Sequence, residues 1–242
     1  MPEFQVEIAT GDGNAECFAA HPAGDGPFPP VILYMDVVGI REELRDFARR
    51  IAGEGYFCLL PDMFYREEQR TFDLSKGREE MERMFATGRT LTFERVMRDT
   101  GAWLAYLDDN PVVSGPAGAI GYCMSGRYVV AATASFPERF GAVASLYGVG
   151  IVTDADDSPH RLADRIQGEL YLGFAEEDPY VLENVVPDLR EALDSGGVVY
   201  TIEVHPGTEH GFCFPGRPSY DKAAAERVWD TVFDLYKRRL KA

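Results

Sequence analysis

The stretch AIGYCMSGRY, residues 119–128, sets Cys123 between an apolar run and a glycine-rich start to a helix. A thiol on so tight a turn can attack a carbonyl carbon, provided that a base draws off its proton and a third group orients the base. The plain alternative is a small apolar residue where a strand meets a helix. Gly121 and Cys123 fit the pattern glycine, any residue, nucleophile, in which small neighbours let strand and helix approach closely. The pattern expects a glycine where Ser125 stands, and Gly126 follows one residue later.

A base has few sources, because the chain has four histidines. His21 and His160 sit at turns beside prolines and His205 at a strand end, which reads as structural or surface placement. His210 lies in HPGTEHGFCFPG, a glycine-rich loop after the last strand that can present an imidazole at the carboxyl edge of a sheet. The orienting acid should follow the preceding strand, in ELYLGFAEEDPY, where Glu176, Glu177 and Asp178 are candidates. Asp178 is favoured because Pro179 follows it and restricts its backbone, with Glu177 next. The order nucleophile, acid, histidine is that of acyl-transfer sites built on a strand-to-helix turn. Such a site also needs donors for a tetrahedral oxyanion: the backbone N–H after the nucleophile, Met124, and one from the loop after the third strand, Val37.

These residues need a scaffold. Eight runs bounded by glycine and proline read as strands: QVEIAT, AECFAAHP, VILYMD, YFCLLPDM, AGAIGYC, GAVASLYGVG, ELYLGFAEED and VVYTIEVHPG. Amphipathic segments at about 41–53, 92–108, 125–135, 181–194 and 219–240 read as helices between them. Strand and helix alternate, so the fold class is α/β: a mainly parallel sheet of about eight strands, helices on both faces, and an antiparallel hairpin at the N-terminal edge. Ligands bind such sheets beyond the carboxyl ends of the strands, where Cys123, Asp178 and His210 all fall. Residues 64–91 form a charged excursion with a helical middle, and the whole of 1–242 reads as one domain.

Composition narrows the partners. Forty acidic against 24 basic side chains give a formal net charge of −16, which disfavours nucleic acid and anionic membrane surfaces. Four cysteines without a C-x-x-C pair suggest neither a zinc cluster nor a disulfide framework and fit a reducing cytoplasm. The N-terminal segment lacks a basic stretch followed by an apolar core, and no run reaches the roughly 18 apolar residues of a membrane span.

The elbow GYCMSG, the YGVG after the next strand (Tyr147 to Gly150), Asp178 before a helix, and HGFCFPGRPSYDKAAAERVW around His210 together resemble the dienelactone hydrolase family. The resemblance runs from about residue 5 to 240. It implies an α/β-hydrolase fold, a triad of Cys123, His210 and Asp178, oxyanion donors at Val37 and Met124, and no cofactor or metal. In dienelactone-cleaving members a glutamate at the end of the third strand pairs with the thiol and shifts its protonation; Asp36 stands at that place here, one methylene shorter. Those members also bind the substrate carboxylate through two arginines. Arg78 and Arg83 are the approximate counterparts of the one in the excursion, and Phe214 occupies the place of the other.

The expected activity is hydrolysis of a small ester or lactone through a thioacyl-enzyme, the thiolate being the reacting form. Phe214 favours, as the alternative, a broader carboxylesterase or thioesterase with no need for a substrate carboxylate. Two non-enzymatic readings compete: a binding protein on the same fold and a redox sensor centred on Cys123.

Overall fold

The computed structural model describes residues 1–241. The chain folds as two compact units, Met1–Gly115 and the part from Pro116 onward.

The first unit opens with the hairpin of β1 (Glu3–Thr10) and β2 (Gly13–Ala20). β3 (Pro30–Tyr34) leads to α1 (Glu42–Gly53), and β4 (Phe57–Pro61) follows. β4 pairs antiparallel with β2 and parallel with β3, giving the order β1-β2-β4-β3. α1 buries one stripe, Leu44, Phe47, Ala48, Ile51 and Ala52, and packs against β4. β3 and β4 are buried at every residue, as their unbroken apolar runs require.

The expected excursion contains a short 3₁₀ turn at Leu74–Lys76 and α2 (Arg78–Gly88), after which Thr92 caps α3 (Phe93–Asp108) by accepting the Arg95 N–H. The buried stripe of α3 is Val96, Asp99, Thr100, Trp103, Leu104 and Leu107, so a carboxylate stands where the helical period calls for an apolar residue. Asp99 is neutralised at once by a two-point fork from Arg66, at 2.7 and 2.8 Å, and receives the Tyr65 hydroxyl. Arg66 also reaches Asp12 at the tip of the β1-β2 hairpin, so one guanidinium ties the start of the excursion to that hairpin and to α3.

The second unit is parallel throughout. β5 (Ala117–Tyr122), α4 (Gly126–Ser135), β6 (Phe140–Leu146), β7 (Glu169–Glu177), α5 (Val185–Ser195), β8 (Tyr200–Glu209) and α6 (Lys222–Leu240) follow in sequence, with strand order β5-β6-β7-β8. α4 and α6 both pack on β5 and β6. All eight expected strands are present, the N-terminal hairpin among them, and the fold class is the one expected. Two helices start later than their periodicity suggests. α5 begins at Val185 because the chain after Asp178 first makes a turn in which the Tyr180 N–H bonds the Asp178 side chain. α6 begins at Lys222 because Asp221 caps it. Among the described residues no helix is long and apolar enough to cross a membrane.

The Arg66–Asp99 fork yields a direct expectation. Arg66→Met leaves an unpaired carboxylate in the packed stripe of α3, and urea unfolding should show a loss of about 3–5 kcal/mol. A loss below about 1 kcal/mol would mean that the fork contributes little to the first unit.

Candidate active site

Cys123 directly follows β5 and opens a 3₁₀ turn, Cys123–Ser125, that runs straight into α4. Its φ is +55°, a left-handed conformation that costs a side-chain-bearing residue about 1–2 kcal/mol. The turn is enforced by proximity. A Cβ on Gly121 would lie 2.7 Å from the Ser125 carbonyl oxygen, and one on Gly126 would lie 2.4 Å from the Gly148 Cα. Positions 121 and 126 are therefore closed to a side chain, whereas position 125 carries one. Ser125 is fully buried, and its hydroxyl accepts the Tyr122 N–H and donates to the Tyr122 carbonyl, both at 3.1 Å, closing the elbow across its base. The thiol stands at the positive end of the α4 macrodipole, where an anion is favoured.

Asp178 and His210 follow β7 and β8, and the pairing of those strands decides whether they meet. Leu170 to Ala175 pair with Tyr200 to His205 at an offset of 30 residues, whereas Glu177 pairs with Glu209 at an offset of 32. The irregularity falls around Pro206, which has no N–H to give the ladder, and Gly207, whose φ is +71°. Glu176 accepts the Gly207 N–H at 2.8 Å and holds the bulge. Without it Thr208 would face Asp178; with it His210 does. The His210 Nδ1–Asp178 Oδ2 distance is 2.7 Å, with side chains 8% and 3% exposed. Of the three candidate acids, Asp178 is therefore the one bonded to the histidine. Nδ1 is engaged, and the buried Nε2 has no hydrogen-bond partner among the described residues.

A strap after β6 links elbow and histidine. The Val149 N–H donates to the Cys123 carbonyl at 3.0 Å, while the ring of Tyr147, itself at φ +37°, meets the rings of Tyr122 and His210 with centroids 6.1 and 5.0 Å away. The other histidines are placed structurally. His21 stacks on Phe57, His160 bonds the Ser158 hydroxyl, and His205 is fully buried against Phe212 and the Tyr171 hydroxyl, burial lowering its pKa. None of the four cysteines is in a disulfide, and Cys123 alone is not buried. Burial pushes the Cys17 thiol up to about 12 and those of Cys58 and Cys213 higher still.

The remaining sequence-derived candidates lie as follows. Asp36 is fully buried after β3 and takes a fork from Arg41 at 2.7 and 3.2 Å; Val37 follows in the same loop, 8% exposed. Arg78 is paired with Glu82, and Arg83 with Glu80 and Glu79, all on α2, so both guanidinium groups are engaged on their own helix. Phe214 is buried with its ring edge-to-face with that of Tyr122, centroids 5.2 Å apart, and the Arg217 guanidinium lies over the Phe214 ring. Tyr147 entered the sequence analysis only as part of the YGVG run, with no role of its own, and Tyr180 and Arg41 were given none; the one hint to Tyr180 was its place two residues after Asp178. Among the described residues no group of three or more His, Cys, Asp or Glu side chains could hold a metal ion.

The family model of the dienelactone hydrolase family matches residues 15–240. The chain belongs to the dienelactone hydrolase family. A Synechocystis protein provisionally named carboxymethylenebutenolidase is 32% identical over 232 residues, 93% of this chain and 92% of its own length. A Bradyrhizobium protein provisionally named 2-oxo-3-(5-oxofuran-2-ylidene)propanoate lactonase is 24% identical, covering 96% of this chain and 92% of its own. The same fold occurs in a Klebsiella pneumoniae protein provisionally named a dienelactone hydrolase (TM-score 0.88, 22% identity, 98% of each chain). It occurs also in a dienelactone hydrolase-like promiscuous phosphotriesterase from metagenomic libraries (TM-score 0.82, 20% identity, 99% and 98%). As a member of this family the protein is a hydrolase of the dienelactone hydrolase type.

The elbow of this dienelactone hydrolase relative can be tested by crowding it. Gly126→Ala places a methyl within contact-breaking distance of the Gly148 backbone and should destabilise the protein by about 1–3 kcal/mol in thermal or urea unfolding. An unchanged stability would show that the strap can retreat from the elbow without cost.

Proposed function

We propose that the protein hydrolyses a small ester or lactone by two-step acyl transfer, with Cys123 as nucleophile, His210 as general acid and base, and Asp178 as the group that orients His210. The observation that carries this reading is the 2.7 Å bond from His210 Nδ1 to Asp178. It turns Nε2 away from the carboxylate, in a unit whose elbow holds a cysteine at φ +55°. In the first step the Cys123 sulfur bonds to the carbonyl carbon, and the alkoxide departs with a proton from Nε2. In the second, water gives a proton to Nε2 and attacks the thioester, and the thiolate leaves. The oxyanion of each tetrahedral intermediate rests on the Met124 amide, and one such donor contributes about 10²- to 10³-fold in rate.

Placement of the arginines supports a broad esterase or thioesterase over an enzyme specific for anionic substrates. Phe214 is packed into the interior at the place of one carboxylate-binding arginine, and Arg78 and Arg83 are engaged by glutamates of α2. The fork from Arg41 supports an Asp36 that stays in place, so a moving role for it in switching the thiol is not carried into the proposal. Four cysteines outside any disulfide fit a reducing compartment, and the cytoplasm is the proposed location.

Turnover of a cyclic dienelactone, a neutral lactone and short p-nitrophenyl esters by the wild type and by Cys123→Ala tests the reading. The variant should lose at least about a thousandfold on every substrate that the wild type cleaves, and adding His210→Ala should cost little more, because the groups act as a unit. Equal rates for wild type and Cys123→Ala would sink the nucleophile assignment. The broad-esterase reading expects neutral esters to be cleaved at least as fast as the anionic dienelactone.

A further inference from the structure

The Asp178–His210 pair has an inner wall and an outer one. The inner wall is the ring of Tyr147, fully buried, which meets the imidazole at 5.0 Å and 65°. The outer wall is the ring of Tyr180, which meets it at 4.8 Å and 69° and is 48% exposed. Tyr180 touches the other partner as well: its backbone N–H donates to Asp178 Oδ1 at 2.9 Å, leaving Oδ2 for His210. One residue thus grips both members of the pair, the carboxylate by its amide and the imidazole by its ring. The intervening Pro179 has a fixed φ and restricts the backbone of the turn that carries Tyr180.

The side chains of Asp178 and His210 are 3% and 8% exposed although both follow strand ends at the sheet's carboxyl edge, while Tyr180 presents half its surface to solvent. A hydrogen bond kept from water is electrostatically stronger and better fixed in direction than a solvated one.

We propose that Tyr180 is a positioning residue for this hydrolase, its ring capping the Asp178–His210 hydrogen bond against water and holding the imidazole edge in place. The proposal rests on His210 acting as the base. It requires the ring and not the hydroxyl, so Tyr180→Phe should preserve it. Tyr180→Ala keeps the backbone N–H on Asp178 and removes the cap alone.

The test uses the intact protein, with histidine labelled in ¹⁵N, and two readouts. The first needs no substrate: the low-field proton signal of His210 Nδ1, bonded to Asp178, should be seen in the wild type and in Tyr180→Phe. In Tyr180→Ala its exchange with solvent should be at least about tenfold faster. The second is turnover of a p-nitrophenyl ester, where Tyr180→Ala should lower kcat by about tenfold with KM within about twofold, as for a misplaced catalytic group, and Tyr180→Phe should restore it. An unchanged signal and kcat in Tyr180→Ala overturn the role, and so does an effect confined to KM, which would make the ring a substrate contact. A signal lost only in Tyr180→Ala, with a wild type inactive on every ester and lactone, upholds the cap and defeats the hydrolase reading instead.

Discussion

The left-handed backbone of Cys123 is the constraint on which the second unit turns. A side-chain-bearing residue does not hold φ +55° unless its surroundings leave no alternative, and here they do not. Gly121 passes the Ser125 carbonyl, Gly126 passes Gly148, and the Ser125 hydroxyl bonds both backbone groups of Tyr122. The same contacts place the thiol at the first turn of α4 and fasten the Tyr147–Val149 strap beside it, so stored strain and site geometry have one origin.

A second constraint lies in the ladder between β7 and β8. Parallel strands in even register would present Thr208 to Asp178. The bulge at Pro206 and Gly207 delays β8 by two residues, and the side chain directly after the strand is His210. Around the resulting pair the unit builds an aromatic shell, Tyr147 inside and Tyr180 outside, with Tyr122, Phe212 and Phe214 behind. Phe214 is buried within that shell, its ring on Tyr122.

Much of this was legible before any coordinates. VILYMD and AGAIGYC have no polar alternation and became strands buried on both faces, and the stripe of α1 follows from its helical period. The order of Cys123, Asp178 and His210 along the chain pointed to one sheet edge because each follows a strand. What escaped were features set by distant residues. Nothing near Asp99 announces that Arg66, 33 positions earlier, neutralises it. Pro206 and Gly207 hint at an irregular strand but do not give its size. The imperfect match at Ser125 looked like a weakness in the elbow, whereas its hydroxyl closes the turn and the close approach falls to Gly126. Contacts between rings, such as those of Tyr147 and Tyr180 with His210, have no signature in spacing at all.

The central claim is a covalent bond between substrate and Cys123, and the most direct measurement is the mass of the protein caught in mid-reaction. Acid-quenching the enzyme within the first turnovers of a p-nitrophenyl ester, followed by intact-mass and peptide analysis, should show one added acyl group, located on the peptide that contains Cys123. Catalytic turnover with no acyl adduct, or with the adduct on another residue, would contradict the account.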